Sequence, residues 1–128
     1  MKQHESQQQI ELFRLLAFHR TDPRYRVIHA SANGGRRDAI TGARMKKEGV
    51  LSGVWDIFVP IPTKRHFGLY LEMKAGKNKL TPSQVRFRDD LILATFDPTA
   101  ETPKSYAFEV CNSAAEAYNT IENYLKGV

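Results

Sequence analysis

The chain has 128 residues, a formal net charge of +5 and a sequence pI of about 9.5. Apolar residues make up 41% and charged residues 26%, which predicts one globular domain over residues 1–128 and excludes a disordered chain. No apolar run is long enough to cross a bilayer, and the polar start MKQHESQQQ lacks the apolar segment of a signal peptide. The lone Cys111 excludes an internal disulfide and a thiolate zinc cluster, so we expect a buried thiol in an intracellular protein.

The first part of the chain is predicted to form two helices and one short strand. Ile10, Phe13 and Leu16 recur at helical spacing, and Pro23 breaks the pattern. The segment YRVIHA alternates between apolar and polar residues and is rich in β-forming residues, which predicts a strand. A helix is predicted further on, although Gly42 within it lowers its helix propensity. The predicted elements are a helix over 5–19, a strand over 25–30, a turn over 31–35 and a helix over 36–49.

The second part of the chain contains the most apolar segments. Two strands, in residues 49–62 and 68–74, are joined by the polar loop TKRHF. Thr81 and Gln84 match a capping box, and so do Ser113 and Glu116. The remaining predicted elements are a helix from 81 to about 93, a loop over 97–105, a strand over 106–111 and a last helix to 125. This order predicts a mixed sheet with helices on its faces.

Three charges stand inside the two apolar strands. In the second strand, Glu72 and Lys74 alternate with residues that point to the opposite face. One interpretation is a half-buried strand with a solvated charged face. Asp56 is the single charge among Val54, Trp55, Ile57, Phe58 and Val59; it either caps the turn made by Ser52-Gly53 or needs a compensating cation.

An acid on one strand and an acid-x-lysine on the next is one way to build a metal-dependent phosphodiesterase site. Mg²⁺ and Mn²⁺ prefer carboxylate oxygens, and the backbone carbonyl of Met73, between the acid and the lysine, is a further candidate ligand. Basic residues crowd the same part of the chain, which favours a phosphate-bearing substrate over a merely solubilising surface. They are Arg36, Arg37, Arg44, Lys46, Lys47, Lys64, Arg65, Lys74, Lys77, Lys79, Arg86 and Arg88.

The segments GVLSGVWDIFV and GLYLEMKAGKNKLTPSQ resemble the PD-(D/E)XK nuclease superfamily and, within it, the virus-type replication-repair nuclease family (VRR-NUC). The segments ESQQQ and NGG, the latter followed by arginine, stand in the family's order, so the resemblance covers most of the chain. Trp55 occupies the position of the family's proline before the aspartate. The resemblance implies a restriction-endonuclease-like α/β core with a central mixed sheet flanked by helices.

The resemblance also implies the roles of individual residues. Asp56 and Glu72 correspond to the ligands of Mg²⁺ or Mn²⁺, and Lys74 to the catalytic lysine. Gln84 corresponds to a glutamine that lines the family's site, although as a capping residue it has a purely structural explanation. Glu5 and Gln9 correspond to the family's helix acid and glutamine, and their spacing places both on one helix face. The alternative interpretation is that this face is simply exposed to solvent.

The expected substrate is DNA. Its candidate contacts are Asn33, Gly34, Arg36, Arg37, Lys77 and Lys79, although NGG on its own is also typical of a turn. Stand-alone members of the family are of viral or mobile-element type. The resemblance therefore implies a homodimeric endonuclease for branched DNA, similar to a Holliday-junction resolvase, in the cytoplasm of a bacterium or a bacterial host. The alternative is a basic nucleic-acid-binding module without catalysis.

Overall fold

A computed structural model describes residues 3–31 and 39–127 of the chain. The helices are α1 (Gln3–Leu16), α2 (Pro23–Arg26), α3 (Ala39–Lys47), α4 (Pro82–Thr95) and α5 (Ala114–Leu125), with a 3₁₀ turn at Ala17–His19. The strands are β1 (His29–Ala30), β2 (Ile57–Val59), β3 (His66–Met73) and β4 (Ser105–Cys111). In these residues, no helix has both the length and the apolar character needed to cross a membrane. The predicted α/β class is confirmed.

The four strands form one mixed sheet in the order β1-β2-β3-β4. Strands β1, β2 and β3 pair antiparallel, whereas β3 and β4 pair parallel. The parallel pair needs a crossover connection, which α4 supplies. The register sets Ile57 opposite Leu71 and Met73 opposite Cys111. The predicted mixed sheet flanked by helices is therefore confirmed, and β3 is its central long strand.

One face of the sheet carries an aliphatic core under α1 and α5. Leu69, Leu71 and Met73 alternate along β3 and are each 0–1% exposed. They pack with Leu12 of α1 and Ile121 of α5, which are fully buried. The apolar residues that alternate along β3 and those that recur at helical spacing in α1 and α5 thus form one hydrophobic core.

The opposite face carries half-buried aromatic rings. The ring of Tyr70 stacks on Phe58 at 4.4 Å and on Phe108 at 5.5 Å between centroids. Phe87 of α4 meets Tyr70 edge-on at 5.3 Å, but no residue of α4 is fully buried. This face is consequently less completely covered than the aliphatic one.

Two predicted elements before and after β2 are wrong. The segment predicted as a strand over 25–30 begins inside α2, because Asp22 accepts the Arg24 N–H at 2.9 Å and Pro23 opens the helical turn. Only His29–Ala30 are extended. The loop TKRHF is also shorter than predicted, since His66 and Phe67 already belong to β3.

The predicted helix caps differ in completeness. The box at Thr81 and Gln84 is fully formed, and its helix continues to Thr95 rather than to about 93. At α5, Ser113 accepts the Glu116 N–H at 3.1 Å, but the Glu116 carboxylate bonds to the Asn112 N–H, one residue before the cap. The helix predicted over 36–49 is observed as Ala39–Lys47, and residues 36–38 lie outside the described residues. The assignment of residues 1–128 to one nuclease domain stays a prediction.

Candidate active site

Asp56 and Glu72 face each other across the β2–β3 pair. The register of Ile57 with Leu71 brings the residue before β2 next to Glu72. The Asp56 N–H donates to Glu72 Oε1 at 3.0 Å, and the Met73 N–H donates to Asp56 Oδ2 at 3.0 Å. Each carboxylate therefore accepts a hydrogen bond from the backbone of the other segment.

The purely structural interpretations of these charges, a solvated strand face for Glu72 and Lys74 and a turn cap for Asp56, are wrong. Glu72 is 3% exposed and Lys74 9%, so the polar side of β3 is not a solvated face at this end. Asp56 is 8% exposed, and its carboxylate reaches across to β3 instead of capping the turn at Ser52-Gly53. Three buried charges at one point of the sheet need mutual compensation or a ligand.

The electrostatics of the pair favour a bound cation. Burial, followed by the negative charge of Glu72, raises the pKa of Asp56 to about 7. Two carboxylates in a desolvated site repel each other, and a shared proton or a cation relieves that repulsion. Lys74 offsets only one of the two charges, with its Nζ 3.2 Å from Glu72 Oε2. The Lys74 N–H donates to the Cys111 carbonyl at 3.0 Å, which ties the lysine's backbone to β4.

Gln84 caps its helix and also contacts the acid pair, so the capping role does not exclude the predicted role at the site. Its Oε1 accepts the Thr81 N–H at 2.9 Å in the capping box, and its Nε2 donates to Glu72 Oε2 at 2.7 Å. A primary amide has one acceptor end and one donor end. Because the cap occupies the acceptor, the donor is aimed at the carboxylate. The helix cap thus orients a site residue.

Trp55 packs the segment before Asp56 against neighbouring elements. Its Nε1 donates to the Gln84 carbonyl at 3.1 Å, and its ring packs edge-on against Phe108 at 4.9 Å. Gly53 lies against the first turn of α4 with φ of +88°, and a Cβ there would fall 2.3 Å from the Ser83 carbonyl oxygen. The segment before Asp56 is therefore docked on α4. Sequence reasoning missed this packing role of the tryptophan.

Glu5 is a buried side chain at the end of β3, not part of a solvated helix face. It is 8% exposed, and its Oε2 accepts the Ala75 N–H at 3.0 Å and Asn78 Nδ2 at 3.1 Å. In the part of the chain that the structure describes, no three His, Cys, Asp or Glu residues form a group that could hold a metal. The role that the resemblance implies for Glu5 at the site stays a prediction. Asn78 was not singled out from the sequence.

Gln9 lies one helical turn after Glu5. Its Oε1 is buried and has no hydrogen-bond partner among residues 3–31 and 39–127. Its neighbour Gln8 accepts the Ala114 N–H at 2.8 Å and so helps to cap α5. The face of α1 that carries Glu5 and Gln9 therefore points into the protein.

The predicted DNA contacts divide into two groups. Lys77 and Lys79 are exposed on the loop after β3. Asn33, Gly34, Arg36 and Arg37 lie outside the described residues. Only the lysines are thus located, on the segment that directly follows Lys74.

The donor set fits a hard divalent ion. Asp56 and Glu72 supply carboxylate oxygens, the kind of ligand that Mg²⁺ and Mn²⁺ prefer. Among the described residues, Lys74 forms the one ion pair with these acids, so two ionised carboxylates leave a negative charge in a buried site, which a divalent ion would offset. The use of the Met73 carbonyl as a further ligand stays a prediction, since the described contact of Met73 is made by its N–H.

The comparisons with known proteins bear on the fold. A solved structure named "VRR_NUC domain protein" is similar to this chain with a TM-score of 0.71 and 20% sequence identity, over 99% of this chain and 92% of the other. No protein-family model and no curated protein matches the sequence. At this identity the similarity establishes the architecture. The predicted resemblance is confirmed at that level: the chain shares the fold of a solved structure that is named as a VRR_NUC domain protein.

Proposed function

We propose that this protein is a divalent-metal-dependent DNA endonuclease that hydrolyses phosphodiester bonds. The observation that carries the proposal is the buried Asp56–Glu72 pair with Lys74 Nζ 3.2 Å from Glu72 Oε2. An opposed acid pair with an adjacent lysine is expensive to bury, and a stable fold gains nothing obvious from it. The VRR-NUC fold, shared with the solved structure, raises the expectation of this chemistry by analogy.

Each residue has a defined role in the proposed reaction. Asp56 and Glu72 would hold Mg²⁺ or Mn²⁺, which when bound supplies Lewis-acid activation of the phosphate and acidifies a bound water. Lys74 would orient the attacking water and offset negative charge on the phosphate. Gln84 fixes the rotamer of Glu72 through its 2.7 Å hydrogen bond.

The substrate would be held by phosphate contacts. Lys77 and Lys79 follow Lys74 directly on the exposed loop, and Asn33, Gly34, Arg36 and Arg37 are the further proposed contacts. Binding through such contacts weakens with salt, with a slope of about 0.9 in log affinity for each phosphate neutralised on duplex DNA. Charge reversal at Lys77 or Arg36 should therefore weaken binding and flatten the slope.

The test is cleavage of labelled duplex and four-way DNA with Mg²⁺, with Mn²⁺ and with EDTA. We expect cleavage with either metal and none with EDTA, and Glu72→Gln should abolish it while still binding DNA. Equal cleavage in EDTA would refute the metal requirement. Binding without cleavage by the wild-type protein under every metal condition would establish the alternative, a non-catalytic nucleic-acid-binding module.

We further propose that the protein acts as a homodimer on branched DNA, as in the repair of four-way junctions, in a phage or its bacterial host. One chain carries one acid pair, whereas symmetric resolution of a junction needs two cuts, and a two-fold dimer supplies both. Two sets of apolar side chains are candidates for the dimer interface. On α5, Ile121 is buried in the core and Tyr118 and Tyr124 pack against it, whereas near the end of α4 Leu93 is 84% and Phe96 48% exposed.

Light scattering at micromolar concentration tests the assembly, and a monomer mass would refute it. Paired nicks on opposing strands of a synthetic junction test the substrate. Nicking of linear duplex at the same rate would refute that preference and leave the metal-dependent chemistry standing.

A further inference from the structure

The loop after β3 forms a tight turn that carries two exposed lysines. The Asn78 N–H donates to the Ala75 carbonyl at 3.0 Å, and Gly76 has φ of +53°. Lys77 lies within this turn and Lys79 directly after it. The turn begins one residue after Lys74, so its backbone geometry sets where these two positive charges lie relative to the acid pair.

This turn is fastened to α1 at two points. Glu5 Oε2 accepts the Ala75 N–H at 3.0 Å and the Asn78 side-chain amide at 3.1 Å. Glu5 is 8% exposed, so these two hydrogen bonds are largely shielded from water. The two contacts join the first and the last residue of the turn to a single carboxylate from the other end of the chain. Asn78 closes this arrangement with both its backbone and its side chain.

We propose that Asn78 is a positioning residue for nucleic-acid phosphate, which acts through Glu5 and the turn to hold Lys77 and Lys79. The inference rests on the proposed DNA-binding function and names a residue for the phosphate end of that site. A binding loop that is ordered before its ligand arrives loses less conformational freedom on binding. Asn78 is neutral, so its contribution comes through geometry and not through charge.

Asn78→Ala distinguishes two explanations of DNA binding. In one, which we call a charge-only surface, affinity depends only on the net charge of the surface; in the other it depends on where the turn holds Lys77 and Lys79. This substitution leaves the net charge unchanged, so a charge-only surface predicts unaltered affinity. A positioned pair of lysines predicts weaker binding, by about three- to tenfold for a coupling of the usual size. Asn119, exposed on α5, supplies the matched control Asn119→Ala.

The experiment measures binding of a fluorescent duplex by anisotropy in EDTA, where no cleavage occurs. We expect Asn78→Ala to weaken binding and Asn119→Ala to leave it unchanged. In a Lys77→Ala, Lys79→Ala background, Asn78→Ala should have no further effect, because the residue acts through the lysines. Asn78→Asp, which loses the amide donor and faces Glu5 with a second carboxylate, should bind more weakly than its charge control Asn119→Asp.

Two results would overturn the assignment. One is wild-type affinity in Asn78→Ala; the other is an equal loss from Asn78→Ala with and without the lysines, which would show a direct or merely structural effect. Calorimetric titration with Mn²⁺ separates this failure from failure of the proposed function. If the wild type binds Mn²⁺ and duplex and only the Asn78 result fails, the proposed function stands; if the wild type binds neither duplex nor four-way DNA, both fall.

Discussion

The two faces of β3 are built on opposite physical terms. On one side, Leu69, Leu71 and Met73 are almost completely buried among aliphatic side chains of α1 and α5. On the other side, half-buried aromatic rings give way to Glu72 and Lys74, two charges that are also buried. The first face lowers the free energy of the folded state by removing apolar area from water, at about 25 cal/mol per Å². The second face lowers that stability, because burying the charges of Glu72 and Lys74 is unfavourable.

The contrast separates stability from chemistry within a single strand. Because successive side chains alternate, neighbouring residues of β3 direct their side chains either to the core or to the acid pair. A substitution on one face should therefore change the free energy of unfolding and leave the chemistry intact, and a substitution on the other should do the reverse. The predictions below test this separation.

The largest effect is expected for Asp56→Asn. The change removes one charged ligand from the acid pair, so cleavage should fall by about 10³-fold or more, equivalent to ~4 kcal/mol of barrier. The measurement is single-turnover cleavage with Mn²⁺. The free energy of unfolding in EDTA should stay the same or rise, because the neutral amide relieves repulsion with Glu72. Wild-type cleavage by this variant would show that the acid pair is not the active site.

The next effect is the pH dependence of the metal-free protein. The pKa of Asp56 is about 7 when folded and about 4 when unfolded, so the folded state binds a proton more tightly. The stability of the EDTA-treated protein should therefore fall as pH rises from about 4 to about 7, by a few kcal/mol in order of magnitude, and then level off. Thermal unfolding at pH 5 and pH 8 measures it.

Mn²⁺ should reverse that loss. It competes with the proton for the acid pair, so it should raise the melting temperature more at pH 8 than at pH 5. Asp56→Asn is the control, and both the pH dependence and the Mn²⁺ effect should shrink in it. An equal rise in melting temperature at the two pH values, or the same rise in Asp56→Asn, would contradict binding at the pair.

A change on the aliphatic face should have the opposite signature. Ile121 of α5 is fully buried, and Ile121→Ala should cost about 2–5 kcal/mol of unfolding free energy. Cleavage per folded molecule at low temperature should stay within about twofold of wild type, since the side chain lies in the aliphatic core on the opposite face of β3 from the carboxylates. A loss of cleavage comparable to that of Asp56→Asn would show that the two faces are coupled.

The sequence predicts most of the fold because its patterns are local. The helical periods, the alternation in β3 and the box at Thr81 and Gln84 each act over a few residues. The strand predicted over 25–30 fails for a local reason as well, since the Asp22–Pro23 cap overrides the β propensity of the residues that follow.

The sequence reveals which charged residues are unusual more readily than it reveals the contacts that they make. The charges of Asp56, Glu72 and Lys74 stand out because they interrupt apolar segments. The partnership of Glu5 with Asn78 joins residues 73 positions apart and leaves no periodic signal. Likewise, Trp55 becomes understandable only when its hydrogen bond to the Gln84 carbonyl is seen.

The smallest effects are expected at Gln84, where the site and the helix cap share one side chain. Gln84→Glu keeps an acceptor for the Thr81 N–H but replaces the donor that contacts Glu72 Oε2 at 2.7 Å. Because a glutamate suits the capping box, stability with Mn²⁺ should change by less than about 1 kcal/mol. Cleavage should fall by roughly tenfold, since the Gln84 amide no longer holds the rotamer of Glu72.

Thr81→Ala is the converse change: it removes the hydroxyl that accepts the Gln84 N–H at 3.3 Å and leaves the backbone N–H that orients the Gln84 side chain. It should cost about 0.5–2 kcal/mol of unfolding free energy with little loss of cleavage. Chemical denaturation and single-turnover cleavage on both variants measure the two effects. If both variants lost stability and cleavage in the same proportion, the contact with Glu72 would be a by-product of the cap, and Gln84 would have no separate role at the site.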